Sequence, residues 1–467
     1  MAILGLRVAA AGDVDSAEAP AGDVAAQVTV VDINHSHAGR LDSLTPEEAR
    51  VRLADGTLVT VPRSSLRTLI PTDRVARPDD DVPRMSPRSP AEAEEPSDRV
   101  ATIIWTNGDW LRASRISIAD ALIHLQPRHR LAGNGSGEGP VAAASTDPPA
   151  ADGGDFCSAP LEFVRGIVWH SPKSATLTPA TPSAMPGMHP PRENPFDDRE
   201  LALERIIHRG EAPADVVWLA NGDRIEGELQ ACDVDTCRLL TAVGEASLPA
   251  ARLSAIAFRS ELTVPPPRTA EFARVLLRDG SRISARSIVW EHSRYIVTSE
   301  VGWDLALLPS DVLRIDFFGE RIVPLPILPP DEVDIVPYLD RQPRWEQDRN
   351  VSGGRLSLAG EPCGWGLGVA SGSRLSWNVT RVESFDVTVG LDDAAGGAGS
   401  VDFVVLGDGR ELARSGRLTG RDLPRRLGPI DLTGVQRLTL AVEYANRGDI
   451  GDIANWCRPT LIRAAAQ

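Results

Sequence analysis

Five residues in the last third of the chain have the side-chain types that hold a polyol: Trp365, Asp392, Asp393, Asn455 and Trp456. An indole offers a flat apolar face to C–H groups, while carboxylates and amides take hydroxyls. Each also has a plainer reading. The Asp392-Asp393 pair follows an apolar run and precedes a Gly-Ala stretch, so it could cap a turn, ligate calcium or bond hydroxyls. Calcium needs six or more oxygens from several segments, and one pair does not supply them. Trp377 alternates with strand residues and reads as core. There is no G-x-S-x-G elbow, no H-E-x-x-H, no phosphate loop and no dinucleotide-binding glycine pattern. His35 and His37 lie two apart in a loop and read as solvated before they read as a metal pair. No cysteine spacing makes a zinc site. No catalytic residue is assigned, and the metal question stays open.

Strands must position these residues. Residues 377–382 (W-N-V-T-R-V), 385–389 (F-D-V-T-V) and 438–444 (L-T-L-A-V-E-Y) alternate apolar and polar, the period of a half-buried strand. Gly, Asp and Asn clusters punctuate them at 390–399, 407–409 and 446–451. Short strands at turn-separated spacing predict a sandwich or barrel.

The motifs run in a specific order. Residues 338–340 read Y-L-D, 348–354 D-R-N-V-S-G-G, 364–369 G-W-G-L-G-V and 373–377 S-R-L-S-W. Then come 389–393 V-G-L-D-D, 399–405 G-S-V-D-F-V-V, 408–410 D-G-R and 454–456 A-N-W. In this order the set resembles the NPCBM family of carbohydrate-binding modules over about residues 331–463. The resemblance implies a jelly-roll β-sandwich of galactose-binding-like type in an exported bacterial protein. It implies a glycan partner held by the five residues above, and related jelly rolls add a structural calcium as an option. The family commonly has a histidine soon after G-L-G-V. Ala370 stands there, so that histidine's contribution is absent. Cys363 and Cys457 occupy positions that related modules do not fill with cysteine, at opposite ends of one sandwich, which suggests a disulfide. Cys232 and Cys237 flank D-V-D-T between two strands and make a second feasible pair, leaving Cys157 over. Two bonds suit an oxidising compartment, whereas buried thiols are the alternative in a reducing one.

At 467 residues the chain exceeds one core. After an N-terminal segment (1–24), four stretches share one rhythm: 25–72, 98–170 with an insertion at about 130–156, 213–260 and 270–320. Each ends on a proline cue: Pro62, Pro160, Pro249 and Pro309. Four residues beyond stand Leu66, Val164, Leu253 and Leu313. Seven beyond stand Leu69, Ile167 and Ile256, while the last copy has Ile315 at six. Asn-Gly and Asp-Gly at 107–108, 221–222 and 279–280 suit type I′ hairpins. Each unit is expected to be a bent sheet of about five strands, and its rhythm resembles SH3-like or Sm-like small barrels. A Pro-, Ser- and acid-rich linker is expected at 73–97. A second is expected at 171–212, with a helix over 194–208 capped by Asn194. A proline-rich bridge at 323–330 leads into 331–467.

Net charge is −16, which disfavours a nucleic-acid role, since phosphate contact needs basic surface. No stretch approaches a transmembrane helix, and no signal peptide is readable at the start. The expectation is a modular all-β, non-enzymatic protein for carbohydrate or cell-envelope recognition. It would be exported to the periplasm, cell surface or medium, with the units as spacers or contacts for other envelope proteins. The alternatives are an accessory module of a polysaccharide-degrading system, a cryptic glycoside hydrolase, and a purely structural envelope protein.

Overall fold

The structure, a computed structural model, describes residues 26–72, 99–128, 157–170, 198–210, 212–336, 345–446 and 448–465. The expected segment 1–24, linker 73–97, insertion 130–156, helix cap Asn194 and the Y-L-D motif lie outside these residues.

Four antiparallel five-strand units come first. Unit I has β1 (Gln27–Asp32), β2 (Ser36–Leu44), β3 (Glu48–Arg52), β4 (Leu58–Pro62) and β5 (Leu66–Pro71). Unit II has β6 (Val100–Trp105), β7 (Trp110–Ala119), β8 (Leu122–Pro127), β9 (Cys157–Pro160) and β10 (Val164–His170). Unit III has β11 (Asp215–Leu219), β12 (Arg224–Cys232), β13 (Thr236–Thr241), β14 (Gly244–Pro249) and β15 (Leu253–Ala257). Unit IV has β16 (Phe272–Leu277), β17 (Arg282–Glu291), β18 (Arg294–Ser299), β19 (Asp304–Leu307) and β20 (Val312–Phe318). In every unit the fifth strand returns to pair the first. In every unit the second strand also carries a register shift partway along. Such a bulge bends a long strand so that one sheet can curl over its own core.

The proline anchors explain where each fifth strand begins. Leu66, Val164 and Leu253 are fully buried and sit opposite Asp32, Trp105 and Leu219, the last paired residues of their first strands. Leu313 does not share that place. In unit IV the connection is one residue shorter, so Val312 lies opposite Leu277 and is buried, and Ile315 follows it at the usual three-residue step. Replacing Leu253 with alanine is expected to cost about 2–5 kcal/mol, as large-to-small core changes do. Denaturant unfolding measures it, and a cost near zero would rule out the anchor role.

The units are not separate beads. β5 pairs β20 (Leu69↔Ile315) and β10 pairs β15 (Ile167↔Ile256), fusing I with IV and II with III through their fifth strands. Their apolar interiors form one continuous core. The helix α1 (Asp198–Arg209) lies over the II–III seam. Leu203 and Ile207, four apart, bury against Ile104, Val168, Val216 and Ala255. Gly166 is required beneath it, because a Cβ there would meet Ile207 at 2.7 Å. Ile206, between them in sequence, points outward and is 48% exposed.

Cys232 and Cys237 face each other across the β12–β13 hairpin, but both are buried free thiols. The expected bond is not formed. Strand alternation points both sulfurs into the core of the units, where they pack as small apolar groups.

The C-terminal module comprises β21 (Ile322–Pro324), β22 (Glu332–Ile335), β23 (Trp345–Gln347), β24 (Ser357–Leu358), β25 (Glu361–Pro362), β26 (Gly366–Ala370) and β27 (Ser373–Asn378). It continues with β28 (Val382–Leu391), β29 (Ser400–Gly407), β30 (Arg410–Thr419), β31 (Arg425–Asp431), β32 (Arg437–Tyr444) and β33 (Ile453–Arg463). One sheet runs β23-β26-β33-β28-β31 with β21 added on β33; the other runs β22-β27-β32-β29-β30. Their inward residues, among them Phe385, Val389, Phe403, Leu440 and Trp456, form a second core. The expected bridge at 323–330 belongs to this sandwich: Val323 pairs Leu461, and Leu325 is fully buried in its core. A cut at residue 331 would therefore remove core, and the module begins at Ile322.

Candidate functional site

Four of the five expected sugar-binding residues face inward. Trp456 has no exposed surface and meets the Phe403 ring edge-on, with centroids 5.0 Å apart. Its neighbours in the core leave no face for a ligand. Trp365 is 2% exposed and packs against Phe318, Phe272 and Ile322, where the sandwich meets unit IV. Asn455 and Asp392 are buried together. β33, which carries Asn455 and Trp456, is an inner strand with both side chains buried, which a single sequence does not reveal.

Asp392 is a tie, not a ligand site. Its Oδ1 accepts from Asn350 Nδ2 (2.9 Å) and the Ala394 amide (2.9 Å). Its Oδ2 accepts from Asn455 Nδ2 (2.5 Å) and the Ser357 amide (3.0 Å). Burial pushes this carboxyl up from its ordinary value, and the four N–H donors act against that. A calcium shell is made of oxygens, whereas this carboxylate is ringed by nitrogen donors, so calcium does not fit here. Asp393 stays exposed, and its Oδ2 accepts from the Gly360 amide (2.9 Å). The pair caps the turn at 393–395 and fastens the β24–β25 hairpin to the sandwich.

His35 and His37 do come together with Asp32, their potential ligand atoms lying within 4.8 Å of one another. Asp32 accepts from the Asn34 and His35 amides, which closes the β1–β2 turn, and contacts His37 Nε2 at 3.2 Å.

The sandwich is joined to the units by buried charge. Arg282 of β17 is 1% exposed and lies over the Trp110 ring at 4.2 Å. It pairs with Asp348 (2.9 Å) and Asp109 (3.3 Å) and donates to the carbonyls of Gly364 (2.9 Å) and Gly108. Glu204 on the inner side of α1 meets Arg355 at 3.1 Å and Arg349 at 3.8 Å. Helix, units and sandwich thus share one ionic junction.

Beside that junction a cleft of about 210 Å³ opens between β5, β20 and the sandwich sheet. Four arginines and two aspartates line it: Arg67, Arg314, Arg426 and Arg458, with Asp316 and Asp386. Asp316 accepts from Thr68 Oγ1 (2.8 Å) and Trp365 Nε1 (2.9 Å). Asp386 is held by Arg426 through both carboxylate oxygens and by Arg67 at 3.0 Å. Arg458 makes no side-chain hydrogen bond or ion pair among the described residues. Burial, with Arg314 alongside, pulls its guanidinium down to about 10. Of the expected residues only Trp365 belongs to this cleft, through its ring nitrogen. The arginines escaped sequence reading because they come from four separate segments, 32 to 247 positions from one to the next, and share no motif.

Two stacked antiparallel sheets in this strand order define a jelly-roll-type β-sandwich module, carried on a body of four fused five-strand units. Residues 338–462 match the NPCBM/NEW2 domain, so an NPCBM domain forms this part of the chain. Solved structures similar to the chain include CBM51 from Clostridium perfringens GH95 in complex with methyl-galactose. It is 20% identical, with 30% of this chain and 99% of that one covered and a TM-score of 0.28. Another is CBM51-2 in complex with GlcNAc and INT domains from Clostridium perfringens ZmpB, 20% identical, covering 41% of this chain and 43% of that one, TM-score 0.29. Tandem CBM51 modules of the family 98 glycoside hydrolase from Streptococcus pneumoniae are 11% identical, covering 53% and 88%, TM-score 0.27. No curated protein matches the chain. Among the described residues no helix is long and apolar enough to cross a membrane.

Proposed function

We propose that this protein is a non-catalytic carbohydrate-recognition protein, in which the NPCBM domain binds glycan and the four units carry it and contact other envelope proteins. The match of residues 338–462 to the NPCBM/NEW2 domain carries this reading. The units serve as SH3-like barrel repeats, in keeping with the shared strand pairing and the shared bulge. Export to an oxidising compartment is supported by the Cys363–Cys457 bond within the sandwich. A hydrolase needs two carboxylates free to act as acid and base or nucleophile. Both aspartates of the cleft are committed to hydrogen bonds and ion pairs, which favours binding over catalysis.

A glycan array probed with the full-length chain tests this reading. Retention on at least one class of glycan is expected, with no release of reducing sugar from that glycan on prolonged incubation. Failure to retain any glycan would sink the binding reading, and steady release of sugar would sink the non-catalytic one.

A further inference from the structure

The cleft between the units and the sandwich has an unusual balance. The whole chain carries a net charge of −16, yet this cleft brings together four arginines and only two aspartates, a formal excess of two positive charges. Such a concentration of one sign in an opposite background calls for a partner.

The hydrogen-bonding inventory is equally lopsided. A carboxylate only accepts and a guanidinium only donates, with five N–H groups each. Both acceptors already have partners. Asp316 serves Thr68 and Trp365, and Asp386 serves Arg67 and Arg426. Not all the donors do. Arg458 has no side-chain partner among the described residues, and Arg314 reaches Asp316 only at 3.9 Å. A ligand entering here meets unused donors and carboxylates that already hold partners. It must therefore bring acceptors and negative charge.

Size narrows the class. The cleft volume is about 210 Å³. It falls below the roughly 300–1,000 Å³ of pockets for drug-sized ligands, which leaves room for one sugar ring. Planar guanidinium forks suit a carboxylate in two-point contact, and Thr388 and Thr460 on the same wall can serve ring hydroxyls.

We infer that this cleft is a binding site for a single carboxylate-bearing sugar residue, a uronic acid, with Arg458 and Arg314 receiving the carboxylate. This rests on the carbohydrate reading above and specifies its ligand chemistry. The site is built jointly by units I and IV and the sandwich, so neither part forms it alone.

Calorimetry on the full chain tests it, with methyl glucuronide and methyl galacturonide set against the neutral methyl glucoside and methyl galactoside. At least one uronide is expected to bind ten-fold or more tightly than its neutral parent, and more weakly as salt rises from 50 to 500 mM, since the pull of the cleft's net positive charge on an approaching anion is screened. Arg458→Met should bring the uronide down to the level of the neutral sugar. Arg314→Met serves as the second variant if the first does not fold. Equal binding of uronide and neutral parent would overturn the inference, as would full uronide affinity in both variants. Competition by sodium sulfate at the same concentration as the uronide would reduce the site to a simple anion site and overturn the sugar assignment. Neutral-glycan binding that persists while the uronides fail would leave the carbohydrate reading standing and remove only this inference. Absence of all glycan binding would remove both.

Discussion

Arg282→Met is expected to destabilise the protein by about 3–5 kcal/mol, the usual cost of removing one partner from a buried ion pair. Here the loss takes the closest cation from two carboxylates, Asp348 on the sandwich, which keeps Arg274 at 3.6 Å, and Asp109 on unit II, which keeps the neutral donors of Ser284 and Asn107. It also leaves the carbonyls of Gly364 and Gly108 without their guanidinium donor. Methionine keeps the stem over the Trp110 ring but supplies no donor. The failure should appear first as separation of the sandwich from the units, because Arg282 belongs to unit IV and Asp348 to the sandwich. Limited proteolysis between the two parts, combined with denaturant unfolding, reads both effects. A loss below 1 kcal/mol with unchanged proteolysis would mean that the other contacts, the packing around Trp365 and the pairs Glu204–Arg355 and Arg67–Asp386, hold the parts together without Arg282. Acid should mimic the substitution. Burial alone would raise the Asp348 carboxyl, but Arg282 and Arg274 outweigh it and hold it below the ordinary carboxylate range. Arg355 and Arg349 do the same for Glu204. Carboxylates with depressed native values stabilise the fold at neutral pH, and that contribution is lost as pH falls below about 4.

The second large effect belongs to the disulfide. Cys363 and Cys457 are bonded, with Cα atoms 5.6 Å apart and a sequence separation of 94. Closing a loop of that length restricts the unfolded chain by an amount on the order of 4 kcal/mol in the entropic account. The bond ties the segment just before β26 to β33, beside Leu356 and Leu358. The double substitution Cys363→Ala and Cys457→Ala should lower the melting temperature of the sandwich by on the order of 10 °C. A direct check needs no variant. The denatured but unreduced chain should titrate three thiols, those of Cys157, Cys232 and Cys237. Five thiols would remove the bond and with it the support for an oxidising compartment, whereas a single thiol would restore the Cys232–Cys237 pair.

Local pattern carried some of this and not the rest. Period-two alternation at 385–389 and 438–444 made strands of those segments in the sequence, and they are the inner strands β28 and β32. The ordered motifs of the last third were enough to resemble the NPCBM family that residues 338–462 match. The Cys363–Cys457 pair was legible because a sandwich brings its early and late strands side by side, as Gly366↔Cys457 shows. The proline anchors marked the fifth strands. A one-residue shortening in unit IV moved the buried position from Leu313 to Val312, a shift that only hydrogen-bond register displays.

Burial and convergence were decided in three dimensions. Trp456 and Asn455 had the residue types of a binding site, but residue type says nothing about which face of a strand is covered, and both sheets of this sandwich bury theirs. The proline-rich stretch at 323–330 looked like a bridge because proline punctuates chains, yet Leu325 found a place in the second core. The cleft of Arg67, Arg314, Arg426 and Arg458 had no sequence signature at all. Four cations from distant segments meet there because unit I pairs unit IV through β5 and β20 and the sandwich docks across both. Sequence by itself determined the strands, their turns and the kinship of the last domain, all of which depend on neighbours within a few residues. The tertiary structure decided which polar groups are spent inside and which still face a ligand, because that depends on docking between parts far apart in the chain.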